Sequence, residues 1–367
     1  MPEHDRQLPL AEAVRPLWAG VDLGGTNIKV GLVDDLGRTL AFRTEETLVD
    51  NGPEDVCARM GRWVLEVADA AGAVAADIRG VGLGTPGPQD LAGGFIIKAG
   101  NLRGFDGFNV RDRVAHHCKR PVTFVNDATA AGFGEHWRGA GRGAASLLLL
   151  TLGTGIGGSI VIGETTLDGQ NSHASECGHV IVDPSPTARL CPCTKRGHLE
   201  AYSSAKSIVA IADEAIAAGR APALAAARAA TEKGQLTPKI IGGLARQGDA
   251  TSQEILDEAA RWLGIGITTL LHTLDPSIVL LGGAMTFGGE DDPVGKRFIE
   301  RVRAEVRDRA FAILAAKTPI RYASLGGDAG YIGAAGMARA ASHRLTDRKS
   351  TRLNSSHEWI SRMPSSA

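Results

Sequence analysis

No stretch of this chain is apolar for the length of a membrane span. Its start, Met1 to Pro16, is charged and proline-containing and has no apolar core of signal-peptide length. Charge imbalance is lacking too: the formal net charge is −1, which gives neither nucleic acid nor a membrane surface an electrostatic reason to bind. Cysteine is scarce. Five cysteines in 367 residues cannot make a disulfide framework for a protein of this size, so Cys191 and Cys193 are better suited to metal or redox chemistry, while Cys57, Cys118 and Cys177 read as ordinary reduced thiols. These absences leave a soluble globular protein, expected in the cytoplasm, long enough for two domains and with an ordinary apolar fraction of 43%.

Glycine, by contrast, is concentrated in places that matter. Two stretches share one layout, an apolar strand, a glycine-rich turn holding a Thr, and a second strand: Leu17 to Gly31 around Gly24-Gly25-Thr26-Asn27, and Leu147 to Ile162 around Gly153-Thr154-Gly155. Glycines let a turn aim its N–H groups at one point and let a phosphate come close, and Thr hydroxyls add donors. Ile28, Val30 and Leu32 alternate straight after the first turn, so a strand follows it. A dinucleotide fingerprint or a P-loop would place a helix there. The plain alternative is two tight hairpins without a ligand; Asp22 beside the first turn and the repetition itself favour a duplicated phosphate cradle.

Between the turns the pattern predicts a strand from Gly37 to Glu45, then a helix from Pro53 to about Ala71 with Val56, Met60, Trp63 and Val64 on one face. A strand from Ile78 to Gly84 follows, running into the loop Thr85-Pro86-Gly87-Pro88. Pro121 to Val125 reads as a short buried strand ending in Asn126-Asp127, with a helix starting at Ala128, and a domain boundary is expected near Asp127. Alanine-rich helices fill about Ser207 to Leu271; a strand Ser277 to Leu281 meets a third glycine turn at Gly282-Gly283, and Gly326 to Ala335 opens a final helix. After about Thr346 the sequence is polar and aperiodic, so residues 346–367 are expected to be disordered; they also resemble adapter-derived peptide, foreign to the natural protein.

Two constellations carry chemistry. Asp127 stands outside the carboxyl end of a strand, where α/β folds collect ligands, and can act either as a helix N-cap or as the general base that phosphoryl transfer to an alcohol requires. Glu176-Cys177-Gly178-His179, Cys191-Pro192-Cys193 and His198-Leu199-Glu200 gather two thiolates and two imidazoles at loop distances, the donor set of a closed tetrahedral Zn²⁺ site. Such a staple would fix Glu176 and Glu200, whose carboxylates can accept bonds from sugar hydroxyls. The alternative is a pair of reduced cysteines with surface histidines. His116 and His117, beside Lys119 and Arg120, read as a solvated helix end.

From about Leu17 to Ala340 the chain resembles the ROK family of sugar kinases, named for repressors, open reading frames and kinases. The likeness rests on Asp22-Leu-Gly-Gly-Thr26-Asn27, Gly84-Thr-Pro-Gly87-Pro88, Asn126-Asp127-Ala-Thr-Ala-Ala131, Leu152-Gly-Thr-Gly-Ile-Gly-Gly158, Glu176-Cys-Gly-His179, the cysteine loop ending at Glu200, and Leu281-Gly-Gly-Ala284. The resemblance implies an actin- and hexokinase-like (ribonuclease H-like) α/β fold of two lobes around a central cleft. The small lobe would be residues 17–126 plus about 326–343, and the large lobe 127–325 with the nucleotide site and the zinc loop.

The same resemblance implies ATP-dependent phosphorylation of a hexose at its 6-hydroxyl, with Mg²⁺ on the ATP phosphates and a structural Zn²⁺. Asp127 would be catalytic; Asn101, Asn126, Glu176, His179 and Glu200 would bind the sugar. ATP and its phosphates would fall to Asp22, Gly24, Gly25, Thr26, Asn27, Lys29, Gly153, Thr154, Gly155, Gly282 and Gly283, and the metal to His179, Cys191, Cys193 and His198. The family usually shows Cys-X-Cys-Gly-X-X-Gly-Cys, whereas this chain has Thr194 for the glycine and His198 for the last cysteine; imidazole can replace thiolate on Zn²⁺, with changed affinity. Only about twenty residues precede Asp22, too few for the winged helix of the family's repressors. Leu281-Gly-Gly-Ala284 speaks for adenine over polyphosphate. Glucose is the favoured hexose; an N-acetylhexosamine, fructose, or a non-catalytic sugar-binding regulator are the rivals. The partners expected are hexose and ATP, neither nucleic acid nor membrane, and further copies of the chain in a dimer or tetramer.

Overall fold

The computed structural model describes residues 7–100 and 102–360, with side chains as far as Arg344. The chain divides into two compact units, one holding the residues up to Gly134 together with those from Gly330 onward, the other Glu135–Ala329.

In the first unit β1 (Leu17–Leu23), β2 (Asn27–Val33) and β3 (Thr39–Glu46) form an antiparallel meander. Helix α1 (Pro53–Ala70) follows, starting on a proline whose missing N–H a first turn does not need. It buries Val56, Met60, Trp63, Val64 and Val67 on the face that the apolar spacing predicts. Next come β4 (Ile78–Thr85), the small hairpin β5 (Gln89–Asp90) and β6 (Phe95–Ile96), α2 (Val110–Cys118), β7 (Val122–Asn126) and the start of α3 (Asp127–Trp137). The sheet order is β3-β2-β1-β4-β7, with β4 and β7 parallel to β1. Leu17, Val21, Ile28, Val30, Leu83 and Met60 form its core.

The second unit repeats that plan. β8 (Ser146–Leu152), β9 (Ile156–Ile162) and β10 (Thr165–Thr166) make the antiparallel part. Five helices follow: α4 (Glu200–Ser203), α5 (Ala205–Ala217), α6 (Pro222–Ala229), α7 (Pro238–Arg246) and α8 (Ala250–Leu274). Side-chain caps cut the alanine-rich region into these pieces: Ser204, Thr237 and Asp249 accept from the N–H groups of Ser207, Ile240 and Ser252. Then come β11 (Ile278–Gly282), α9 (Pro293–Arg309), α10 (Ala312–Lys317) and β12 (Ile320–Tyr322), giving the order β10-β9-β8-β11-β12 with β11 and β12 parallel to β8. Leu148, Leu150, Ile156, Leu263, Ile267 and Val279 anchor its core.

The last helix, α11 (Ala329–Ile360), returns the chain to the first unit. A methyl group added at Gly20 would overlap the carbonyl oxygen of Tyr331, and one at Gly82 that of Ala334, so the helix backbone lies directly on the strands. Buried Thr39 and Tyr331 share a hydrogen bond of 2.9 Å. The chain leaves the first unit inside α3, not ahead of it. Ala130 of that helix packs against Gly84 and Gly333, which ties its first turns to the sheet and helix of the first unit. The disorder expected from about Thr346 is not met as far as Ile360: a helix already nucleated by its packed first turns propagates at one hydrogen bond per residue. Residues 361–367 lie outside the described residues.

Candidate active site and metal cluster

In the first unit the turn from Gly24 to Asn27 closes through the Gly24 N–H, which donates to Asn27 O at 3.0 Å. It is braced from behind by a residue the sequence gives no reason to single out. Thr47, fully buried, donates its hydroxyl to Gly24 O at 2.7 Å, and its N–H to Thr26 O at 2.8 Å. The tips, Thr26 and Asn27, face solvent. Asp22 sits opposite Lys29 in the β1–β2 register. Burial pushes its carboxyl up to about 6, against the pull of Lys29.

At the end of β7, Asn126 and Asp127 are neighbours with different duties. The Asn126 Oδ1 accepts from Ala128 N–H at 2.9 Å and Thr129 N–H at 3.2 Å, so the helix cap falls to Asn126. Asp127 is the first residue of α3, half-buried, with its Oδ1 2.8 Å from Ala128 N. Asn101 lies outside the described residues.

In the second unit the Gly153–Gly155 turn closes through Gly153 N–H to Gly155 O at 2.9 Å, and the Gly153 carbonyl accepts from Ala205 N at the start of α5. Glu200, first residue of α4, accepts from Ile156 N–H at 2.9 Å, and a side chain at Gly155 would overlap its carboxylate. The third glycine turn docks on the same place: Gly283 adopts φ +87, a conformation only glycine takes without strain, and a Cβ there would overlap Leu152, whose carbonyl accepts from Met285 N–H at 3.0 Å. Gly153, Thr154, Gly155, Gly282, Gly283 and Glu200 therefore form one neighbourhood.

The cysteine loop joins it. Ligand atoms of His179, Cys191, Cys193 and His198 all lie within 4.8 Å of one another. The two imidazole Nδ1 atoms are 3.2 Å apart, Cys191 Sγ is 3.8 Å from His179 Nδ1, and Cys193 Sγ 3.1 Å from His198 Nδ1. Tetrahedral Zn²⁺, with Zn–N near 2.0 Å and Zn–S near 2.3 Å, has N–N and N–S edges of about 3.3 and 3.6 Å, so these three edges match the ion to within about 0.5 Å. Burial, then His179, lowers the pKa of His198 and favours the neutral imidazole that a metal needs. The cluster touches both candidate sugar carboxylates: His179 Nε2 is 3.9 Å from Glu176 Oε2, and Cys191 Sγ 3.9 Å from Glu200 Oε1. Thr194, standing where glycine is usual, takes φ +73 to complete the loop.

The structure thus gathers the residues read from the sequence into two sets. Asp22, the first glycine turn, Lys29, Asn126 and Asp127 belong to the first unit; the second turn, Gly282, Gly283, Glu176, His179, Glu200 and the metal cluster belong to the second. Backbone N–H groups and the Thr hydroxyl at each turn can hold phosphate oxygens, and carboxylates can accept from hydroxyls. Among the described residues no helix is long and apolar enough to cross a membrane.

Comparison with known proteins agrees with this chemistry. A glucokinase of Halalkalibacterium halodurans is 34% identical over 318 residues, 86% of this chain and 93% of the relative. Among solved structures, a ROK hexokinase from Thermus thermophilus is 30% identical, with a TM-score of 0.74 and coverage of 89% of this chain and 99% of that one. A ROK family glucokinase from Streptomyces griseus in complex with glucose and AMPPNP is 32% identical, with a TM-score of 0.69 and coverage of 88% and 99%. The fold is therefore the actin- and hexokinase-like one of these enzymes. The ROK family model matches residues 18–341, and the chain belongs to the ROK family.

Proposed function

We propose that this protein is an ATP-dependent glucokinase that transfers the γ-phosphoryl group of MgATP to the 6-hydroxyl of glucose. The observation that carries the reading is its identity over most of its length to glucokinases, one of them solved with glucose and an ATP analogue. Asp127 is assigned as the general base: the amide oxygen of Asn126 caps α3, so capping does not account for the carboxyl beside it at that strand end. As the sugar oxygen bonds to the γ-phosphorus and the bond to the bridging oxygen breaks, ADP departs and the hydroxyl proton passes to Asp127. The Gly24–Asn27 and Gly153–Gly155 turns hold the phosphates through backbone N–H groups, with Gly282 and Gly283 beside the adenosine. Positioning and neutralisation of charge supply most of the rate.

Glucose would be held by Asn101, Asn126, Glu176, His179 and Glu200. Zn²⁺ would be bound by His179, Cys191, Cys193 and His198, and its contribution is structural, pinning the loop that carries the two glutamates. The cytoplasm, where MgATP is made available, is the compartment this reading requires. The test is coupled ADP release with MgATP across glucose, mannose, fructose, N-acetylglucosamine and N-acetylmannosamine. Glucose should give the highest kcat/KM, because a site built for specific hydroxyls rejects sugars that leave its carboxylates unpaired. A higher kcat/KM for either acetamido sugar would overturn glucose as the substrate, and silence on every sugar would overturn the kinase.

A further inference from the structure

Glu135 is a fully buried carboxylate that the phosphoryl-transfer chemistry does not use. It has gathered an unusual number of donors: Oε1 accepts from Ser324 N–H at 2.9 Å and Leu325 N–H at 2.7 Å, and Oε2 from Ala140 N–H at 2.8 Å and the Ser324 hydroxyl at 3.3 Å. Its position along the chain gives those bonds meaning. The chain passes between its two units twice, at Gly134–Glu135 and at Ala329–Gly330. Glu135 is the first residue on the second-unit side of one passage. Ser324 and Leu325 stand just ahead of the other. One carboxylate therefore binds together, inside the second unit, the segment that enters it and the segment that leaves it.

The helix carrying Glu135 is α3, and Asp127 is its first residue. Eight residues of helix, about 12 Å, form a short rigid rod between the two. Near its start the rod is seated on the first unit by Ala130 against Gly84 and Gly333, and at Glu135 it is seated on the second. We propose that Glu135 is a positioning residue for the reaction: by fixing α3 to the Ser324–Leu325 segment it sets the rotation of the helix and hence the direction in which Asp127 presents its carboxyl. This rests on the assignment of Asp127 as base. A misplacement of about 1 Å in a reacting group is enough to lose two orders of magnitude in rate, so a clamp two turns away acts on kcat.

Glu135→Gln preserves size but turns an NH₂ group toward N–H donors on one side of the clamp. In folded variant protein, kcat should fall about tenfold to a hundredfold, while the dissociation constant for glucose, measured directly by calorimetry, stays within about twofold. A clamp that merely stabilises the fold would lower the melting temperature and leave kcat per folded molecule unchanged. That outcome overturns the proposal, as does a parallel loss of glucose binding and turnover. Should the variant not fold, hydrogen exchange on the wild-type protein decides: glucose should change protection in residues 138–145 and 323–328 together, and a response in one segment alone overturns the clamp. Asp127→Asn run alongside separates the two readings. If it retains turnover, the base assignment and the positioning proposal fall together; if it is inactive while Glu135→Gln turns over normally, the positioning role alone is lost.

Discussion

The two sheets have the same order and the same mix of strand directions, yet they are built from opposite materials. The first is packed by glycine: Gly20 and Gly82 let the backbone of α11 lie on the strands. The second is packed by leucine, with Leu147, Leu148, Leu149 and Leu150 all buried in its central strand. Their turns differ in the same spirit. At the position where β1 carries Asp22 opposite Lys29, β8 carries Thr151 opposite Gly157. The second turn instead receives its carboxylate from Glu200, far along the chain. A duplicated frame fixes where backbone N–H groups point, and each copy is then free to acquire its acid by a separate route.

The largest effect should come from setting the acid of the first unit at the end of β7 against the acid that the second turn receives. Asp127→Asn should lower kcat by about a hundredfold or more while glucose binding persists, whereas Glu200→Gln should weaken glucose binding first. Steady-state kinetics paired with direct binding separates them, and equal behaviour of the two variants would erase the division of labour. Packing chemistry comes next. Leu148→Ala leaves a cavity and should cost about 2–5 kcal/mol, and Gly82→Ala forces α11 off the sheet at a cost of about 1–3 kcal/mol. Urea unfolding at fixed pH measures both; a neutral Gly82→Ala would show that the backbone contact with Ala334 is not needed.

The turns offer a finer test. Because the carboxyl of Asp22 is raised by burial to about 6, the folded protein holds more protons than the unfolded chain between about pH 4 and 6, and stability falls as pH rises through that window. Asp22→Asn should flatten this slope and gain at most about 3 kcal/mol at pH 7, at the expense of MgATP affinity. Unfolding curves at pH 4, 5, 6 and 7 check it, and parallel slopes for the two proteins would refute a charge held against its burial. The smallest effect belongs to the metal loop. Thr194→Gly relieves a left-handed residue and should add about 1 kcal/mol while zinc content stays near one per chain; Cys191→Ser should lose the metal. Calorimetry and elemental analysis of both variants decide, and a less stable Thr194→Gly would mean that the threonine side chain holds the loop.

The glycine turns and the cysteine loop were legible because backbone freedom and metal ligation both demand particular residue types at short spacing. The same local logic gave the apolar face of α1 and the strand before Asp127. It was blind to Thr47, whose support of Gly24 crosses two strands and leaves no mark at short range. It also named no element between Met285 and Gly326, although α9, α10 and β12 lie there: α9 is heavily charged on its outer face, and β12 is three residues long, too short for alternation to show. The choice between cap and base at Asn126-Asp127 was open in sequence, since either residue can cap, and only the hydrogen bonds assign the cap to Asn126.

The return of α11 to the first unit has a consequence for biosynthesis. Proteins with successive domains finish them in the order the ribosome delivers them. Here the earlier strands must wait. The glycine groove at Gly20 and Gly82 is filled only by residues that follow Ala329, while everything the second unit needs has already emerged by then. The second unit is therefore the part able to mature on the nascent chain, and the first remains an open sheet until its own final helix arrives from the far end of translation.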